Sequence, residues 1–378
     1  MDLFSWALVG STSIYLIVGI LILIGLFRSS TQIPCSEEPF VTVVIAARNE
    51  ASYIRTCVNG LINQTYPANR YEVLVVDDES DDQTRSIVEE VSRSNPLVRC
   101  LSVGDSFQHM VAKKRPLSVG IREARGEIIL TTDGDCRVPP TWISGMVGCF
   151  HPEVGAVIGF SQVKSPDEQL SAFERLQGFD FLTLMTAAAG TASMGLPLAA
   201  TGQNLAYRRS LFNQVGGFEK IGHRPSGDDV LLLQLFSRVK NYRIEFSSTP
   251  GTFVSTWRTE SPKQFYQQRK RWASNALYQL KLNRGFFLYI SAVFSISLLA
   301  PLGAIFGTPA GSRLLPLGCL SLKAMLDLIV SLKGASRFNR PDLLKAFPVW
   351  EILQYPYTVL MGVAGSLGRI KWKKRVHV

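Results

Sequence analysis

Carboxylates at the ends of apolar runs are the residues of this 378-residue chain best suited to chemistry. Asp77 and Asp78 lie at the end of the run YEVLVVDDES (71–80), and Asp133 and Asp135 end GEIILTTDGD (126–135). Asp228 and Asp229 adjoin in SGDDV, where the apolar pattern VLLLQLF begins. Farther on, QRKRW sets Gln268, Arg271 and Trp272 at i, i+3 and i+4, on one face of a helix. A single acid-ended run is ordinary turn chemistry, and Asp-Gly-Asp makes a good turn. Two such runs on the same side of one sheet point instead to a ligand site, because open α/β sheets bind beyond the C-terminal ends of their strands.

Ahead of the acids, PFVTVVIAA (39–47) is a β-branched run that reads as a buried strand. Helix patterns over 50–63, 83–94, 112–125 and 139–150 alternate with strand patterns over 71–80, 96–103, 126–135 and 154–163. That alternation predicts βαβ units, an α/β fold and a mostly parallel sheet with flanking helices. The first strand is not followed by GxGxxG, and no GxxxxGK[ST] occurs, so dinucleotide and P-loop folds are disfavoured. The six cysteines (35, 57, 100, 136, 149 and 319) form no CxxC pair, and the four histidines are scattered. Neither a zinc site nor a disulfide framework is expected.

Charged residues are 19% of the chain, against 46% hydrophobic, and the two sets are segregated. Residues 7–27 carry no charge and are long enough to cross a hydrocarbon core of about 30 Å. Asp2 before this run and Arg28 after it predict a retained anchor with an outside N-terminus. Residues 286–310 read as a second span, and 314–332 as a third if Lys323 and Asp327 pair or face a protein interior. Residues 347–369 carry Glu351 and Pro356 and could span, re-enter or lie in the interface. The layout is then an anchor (1–30), a soluble domain (38–283), a membrane region of two or three spans (284–370) and a basic tail (371–378). The net charge of +10 concentrates at Arg28, Lys281, Arg284, Lys333, Arg337, Arg340 and 371–375. Anionic lipid headgroups account for that pattern, and no nucleic-acid partner is expected.

VVDDES, TTDGD, SGDDV and QRKRW stand in an order and spacing that resembles the family 2 inverting glycosyltransferases of GT-A fold. The membrane-bound branch, which includes synthases of hyaluronan, cellulose and ceramide glucoside, is the best match, over residues 40–280 and in the general membrane layout. The resemblance implies that Asp133 and Asp135 form a DxD pair holding Mg²⁺ or Mn²⁺ against the diphosphate of a UDP-sugar, with Asp133 also near the nucleotide. Asp77 and Asp78 would follow the second strand as nucleotide-binding acids, Asp78 toward the base. Ala47, Arg48 and Glu50 would line the nucleotide, Arg48 standing where a tyrosine is commoner. Lys114 would meet the diphosphate or the nucleotide edge, although Lys113 fits the pattern as closely. Asp229 is the implied catalytic base, with Asp228 its neighbour, and a helix N-cap accounts for one of the two. Gln268, Arg271 and Trp272 match QxxRW and would serve the acceptor and diphosphate. Gln203 or Asn204, after a Gly/Ala-rich stretch that lets a ligand approach the backbone, would touch sugar hydroxyls.

The implied reaction moves a hexose or N-acetylhexosamine from a UDP-sugar to a lipid hydroxyl, on an integral protein of the cytoplasmic membrane whose catalytic domain faces the cytoplasm. A processive polysaccharide synthase acting on a growing glycan is the alternative, disfavoured because few segments remain to enclose a pore. A non-catalytic membrane scaffold would not need all four motifs.

Overall fold

The computed structural model describes residues 2–28, 38–163, 170–257, 259, 261–367, 370–372 and 375–377. Cys35 and the tail residues Lys373 and Lys374 lie outside the described residues. The first half runs α1 (Leu3–Phe27), β1 (Val41–Ala47), α2 (Ile54–Ile62), β2 (Tyr71–Asp77), α3 (Thr84–Ser94), β3 (Val98–Ser102), α4 (Lys114–Glu123), β4 (Ile128–Asp133), β5 (Cys136–Arg137), α5 (Trp142–Val147), β6 (Val154–Gly159) and β7 (Ser161–Val163). It continues with α6 (Ala172–Ser193), β8 (Leu205–Arg208), α7 (Arg209–Gln214), α8 (Val230–Phe236), β9 (Arg243–Ser247), β10 (Val254–Thr256), α9 (Pro262–Ala273), α10 (Gln279–Leu282), α11 (Arg284–Phe306), α12 (Leu314–Arg337) and α13 (Phe347–Leu367).

Seven strands form one sheet in the order β3-β2-β1-β4-β8-β6-β9. Every neighbouring pair is parallel except those made by β8, which is antiparallel to β4 and β6. The mostly parallel α/β sheet expected from the sequence is therefore present. Side chains alternate across it: Val41, Val43 and Ile45 enter one core, while Val44, Leu74 and Val76 enter the other. Burial on both faces explains why these strands read as unbroken apolar runs.

Several element boundaries differ from expectation, and two of the differences have a clear physical cause. Helix α2 begins at Ile54, not at 50, because Asn49 takes φ +54° and the Glu50 carbonyl accepts the N–H groups of Tyr53 and Ile54 at 2.9 Å. The run 154–163 is two strands, parted at Phe160. That ring stacks on Phe338 at 4.1 Å, and the Phe160 carbonyl accepts from Val254 N and Asn204 Nδ2. Beyond it, β7 leaves for a second sheet, β5-β10-β7. Apolarity is continuous through the break, so hydrophobic patterning carries no sign of it.

The Gly/Ala-rich stretch has another use than the one expected. Its first part ends the long helix α6, where small residues let helices, rather than a ligand, come close. A Cβ on Gly25 of α1 would lie 2.0 Å from the Gly190 carbonyl oxygen, and one on Gly334 of α12 would lie 2.2 Å from Thr186 Oγ1. Thus α6 belongs to the core of the α/β unit and also packs on two of the apolar helices.

Among the described residues three helices are long and apolar enough to cross a membrane: α1, α11 and α12. Helix α13, with Glu351 and Pro356, is not among them. Lys323 of α12 is buried and meets Asp327 at 2.5 Å and Glu351 of α13 at 3.7 Å. Tyr15 of α1 donates to Asp327, Gln354 Nε2 donates to the same carboxylate at 3.2 Å, and the Tyr355 hydroxyl donates to Glu351 at 2.8 Å. The charges thus pair and also face protein, which is what tolerance of ionisable groups among apolar helices requires. Arg337 and Arg340, expected at lipid headgroups, are bound inside the protein. Arg337 donates to Ser248 Oγ and the Leu26 carbonyl, and Arg340 donates to Gln162 and Asp342.

Lys323→Met would strand two buried carboxylates without their cation, a loss of about 3–5 kcal/mol. Thermal unfolding in detergent should show that loss, and adding Asp327→Leu with Glu351→Gln should recover most of it. Equal stability of Lys323→Met and the parent chain would contradict the pairing.

Candidate active site

Parallel strands bring their C-terminal ends to one edge. In register, Ala47 of β1 pairs with Asp77 and Ala46 with Asp133, so the two acid-ended strands flank β1 at one level. The loops beyond are laced together. Asn49 N donates to Ser80 Oγ at 3.1 Å, Glu50 N to Thr84 Oγ1 at 2.7 Å and Ala51 N to Asp82 Oδ2 at 3.1 Å. Asn49 and Glu79 both adopt left-handed backbone, which turns the chain sharply at each strand end.

At this edge opens a cavity of about 670 Å³. Its walls include Arg48, Glu50, Lys113, Asp133, Asp135 and Gln203 from the expected set or beside it, and Gln268, Arg271 and Trp272 from α9. Four expectations need correction. Ala47 is fully buried, and its neighbour Ala46 lines the cavity. Asp77 and Asp78 are buried and do not line it. Asp78 lies under the Arg48 guanidinium, 3.6 Å away, which also donates to the Asp78 carbonyl. Asp77 accepts from Ser80 N, and its other oxygen has no hydrogen-bond partner among the described residues. The wall is thus made by Arg48 rather than by either acid.

The last correction concerns the lysines. Lys114 is fully buried and donates to the carbonyls of Arg224 and Ser226 at 2.7 and 2.9 Å. Burial lowers it to about 8, partly opposed by Asp228 and Asp229. It therefore anchors the loop leading to SGDDV and does not reach the cavity. Lys113 does, meeting Asp133 Oδ1 at 2.6 Å. Burial alone would depress Lys113, but Asp133 and Asp228 hold it above the ordinary lysine value.

Asp133 ends β4, and Asp135 follows one residue on, accepting from Cys136 Sγ at 3.6 Å. Between them Gly134 packs where a Cβ would lie 3.1 Å from Glu50 Cγ. Among the described residues no three His, Cys, Asp or Glu side chains gather as a metal cage. Two hard carboxylates in a cavity fit Mg²⁺ or Mn²⁺, which take few protein ligands and complete their shell with water and phosphate oxygens.

Asp229 caps α8, and its carboxylate accepts from Val230 N at 2.6 Å and Gly202 N at 3.0 Å. The cap and the implied base are therefore one residue. A carboxylate has about four lone-pair sites, so two N–H bonds leave capacity for a proton. Burial, then the neighbouring Asp228, raise it to about 6, against the pull of those two N–H groups and Lys113. Gly227, at φ +86°, makes the turn that presents both acids.

Helix α9 is capped by Ser261 and started by Pro262. Arg271 Nη1 reaches Ser226 Oγ at 3.4 Å, tying α9 to the SGDDV loop. Trp272 lies beside Phe181 of α6. Sequence reasoning missed Arg269, which is buried 2.6 Å from Asp180 of α6, its guanidinium 4.1 Å from the Trp272 ring centre. A lone acid in the apolar stretch LQGFDFLTLM was the available signal. Asn204, expected near the sugar, is buried and structural: it accepts from Trp142 Nε1 and donates to the Phe160 and Thr252 carbonyls. Gln203 does line the cavity.

Sheet and acid-ended strands together define a GT-A-like fold. The fold matches a mannosyltransferase from Pyrobaculum calidifontis solved with GDP-Man and Mn²⁺, at a TM-score of 0.60 and 20% identity, over 93% of this chain and 99% of that one. Residues 42–216 match Glycosyl transferase family 2. It is similar to glycosyltransferase AglE of Haloferax volcanii, at 31% identity over 52% of this chain and 60% of the relative. It is also similar to the probable glycosyltransferase YdaM of Bacillus subtilis, at 28% over 66% and 59%. A β-monoglucosyldiacylglycerol synthase of Trichormus variabilis is 34% identical over 32% of this chain and 25% of the relative. The chain thus spans about three fifths of the length of the first two relatives.

The two lysines should separate experimentally. Lys113→Met is expected to raise the donor KM about tenfold or more while the fold persists. Lys114→Met is expected to lower thermal stability by about 1–3 kcal/mol, through two buried carbonyls left without a donor. Steady-state kinetics and thermal unfolding read both, and the opposite assignment of effects would contradict the placement.

Proposed function

We propose that this chain is a membrane-bound, inverting glycosyltransferase that moves a hexose or N-acetylhexosamine from a UDP-sugar to a lipid hydroxyl. The observation that carries the reading is one continuous cavity joining Asp133, Asp135 and Lys113 to α9, whose far side packs on α13. A charged donor end and an acceptor end beside apolar helices are what sugar transfer onto a lipid needs. The name of the Trichormus relative is that of a lipid glycosyltransferase, which favours the lipid over a polymer.

In this reading Asp133 and Asp135 hold Mg²⁺ or Mn²⁺, which supplies neutralisation of the diphosphate charge. Lys113, held charged by Asp133 and Asp228, adds a donor to the diphosphate, and Arg48 and Glu50 line the nucleotide. Asp229 takes the proton of the acceptor hydroxyl as its oxygen attacks C1 from the side opposite the leaving nucleoside diphosphate. Gln268 and Trp272 hold the acceptor, and Arg271 keeps α9 against the loop of the base. Asp2 before α1 and Arg28 after it favour a cytoplasmic catalytic domain, and two C-terminal spans return the tail to that side.

Asp229→Asn should reduce transfer at least about a thousandfold and leave donor binding near normal. In the parent chain the base works once ionised, so kcat should fall about tenfold per pH unit below about 6. A flat kcat between pH 5 and 8, or near-normal transfer by the variant, would overturn the assignment. Membranes incubated with radiolabelled UDP-sugars and extracted lipids should yield label in the organic phase as one added sugar. Label in a polymer, or incorporation from GDP-sugars alone, would overturn acceptor or donor respectively.

A further inference from the structure

Helix α8 is only 7 residues long, yet it carries Asp229 as its cap. Segment 197–202 runs along it in the opposite direction and is bonded to it at both ends. At one end Gly202 N donates to Asp229 Oδ2 at 3.0 Å, and at the other the Pro197 carbonyl accepts from Gln234 Nε2 at 3.0 Å. The fit is close, since a Cβ on Gly202 would lie 3.0 Å from Asp228 Oδ2. The start of this splint is fixed to α6, where the Thr191 carbonyl accepts from Leu196 N at 2.9 Å and Thr191 Oγ1 accepts from Leu198 N at 3.4 Å.

Gln234 stands inside VLLLQLF, where Leu231 to Phe236 are all buried. An amide among leucines is costly unless both of its ends are bonded. Both are, because Gln234 Oε1 accepts from Asn283 Nδ2 at 2.8 Å. Asn283 in turn caps α11, its Oδ1 accepting from Phe286 N at 2.9 Å. Two amides, each donating and accepting, thus join the first turn of an apolar helix to α8 and to the splint. A fully satisfied buried network of this kind fixes geometry.

We propose that Gln234 is a positioning residue of the transfer reaction: it holds α8 along segment 197–202 and against the start of α11, and so keeps Asp229 on Gly202 N. This rests on Asp229 being the base. Asp228, Lys113 and Lys114 of the α4 start, and the N–H groups of Val230 and Gly202 act on Asp229, while Arg271 of α9 bonds Ser226 ahead of the acids. Of these groups only the Gly202 N–H belongs to the splint, and it favours the ionised carboxylate. Releasing the splint therefore misaligns the base and raises it further above the ordinary aspartate range.

The test uses the full chain in detergent–lipid micelles, with the labelled UDP-sugar and lipid extract that yield product with the parent chain. Gln234→Met keeps length and apolarity but leaves the Pro197 carbonyl and Asn283 Nδ2 without their partner. Asn283→Asp keeps a good cap for α11 and loses only the donor to Gln234. Both variants should lower kcat, Gln234→Met by about tenfold or more, because small misplacements of a reacting group are costly. Both should leave the donor KM within about twofold of the parent value, which reports an intact donor site. Both should move the acidic limb of kcat, near pH about 6 in the parent, to higher pH. A limb unmoved in both variants, or parent-like kcat in both, overturns the positioning role and leaves Asp229 as the base. If Gln234→Met does not fold, Asn283→Asp decides alone. Near-normal transfer by Asp229→Asn overturns the base reading itself, and the proposal with it.

Discussion

Carboxylates crowded together repel one another, and in this protein two consecutive lysines answer that repulsion. Lys113 and Lys114 start the same helix but point apart, one to Asp133 at the sheet edge and the other to the carbonyls ahead of SGDDV. Lys113 stays charged between Asp133 and Asp228, while Lys114 lowers the electrostatic cost of Asp228 and Asp229 without touching the cavity. The balance is incomplete at Asp229, which burial and its neighbour raise to about 6. That residual imbalance is what a base working near neutral pH needs: ionised at rest, yet with enough affinity to accept a proton.

Helix α6 ties this cleft to the apolar helices. Near its start Gln177 accepts from Thr259 N, and Asp180 neutralises Arg269, so both the entry to α9 and its buried face are set by α6. Trp350 of α13 donates to the same Asp180 at 3.3 Å. Near its end, Gly190 lets α1 approach to backbone contact. Displacing the apolar helices would therefore move α9, and with it Gln268, Arg271 and Trp272, relative to the acids of the sheet. Close helix crossings of this kind depend on small residues, since lipid supplies no hydrophobic drive between helices.

The parallel sheet and its acid-ended strands were legible in the sequence because both faces are buried and the polar residues begin where the strands stop. The three long apolar helices were legible from composition. What could not be read arises from contacts between distant segments. Phe160 parts two strands within an unbroken apolar run because a stacked Phe338 and the Asn204 amide hold it there. Lys113 and Lys114 are adjacent and identical in type, and the fold decides which of them faces the cavity. Gln203 and Asn204 divide likewise, one into the cavity and one into the protein. Arg269 sits inside a basic stretch that reads as a membrane-facing surface, yet Asp180, 89 positions earlier, buries it.

The central claim is a single displacement in which Asp229 activates the acceptor while the cation-bound diphosphate leaves from the opposite face. The most direct measurement is the anomeric configuration of the product, read by NMR after transfer from an α-linked UDP-sugar. The account predicts a β-linked glycoside, and an α-linked product would contradict it.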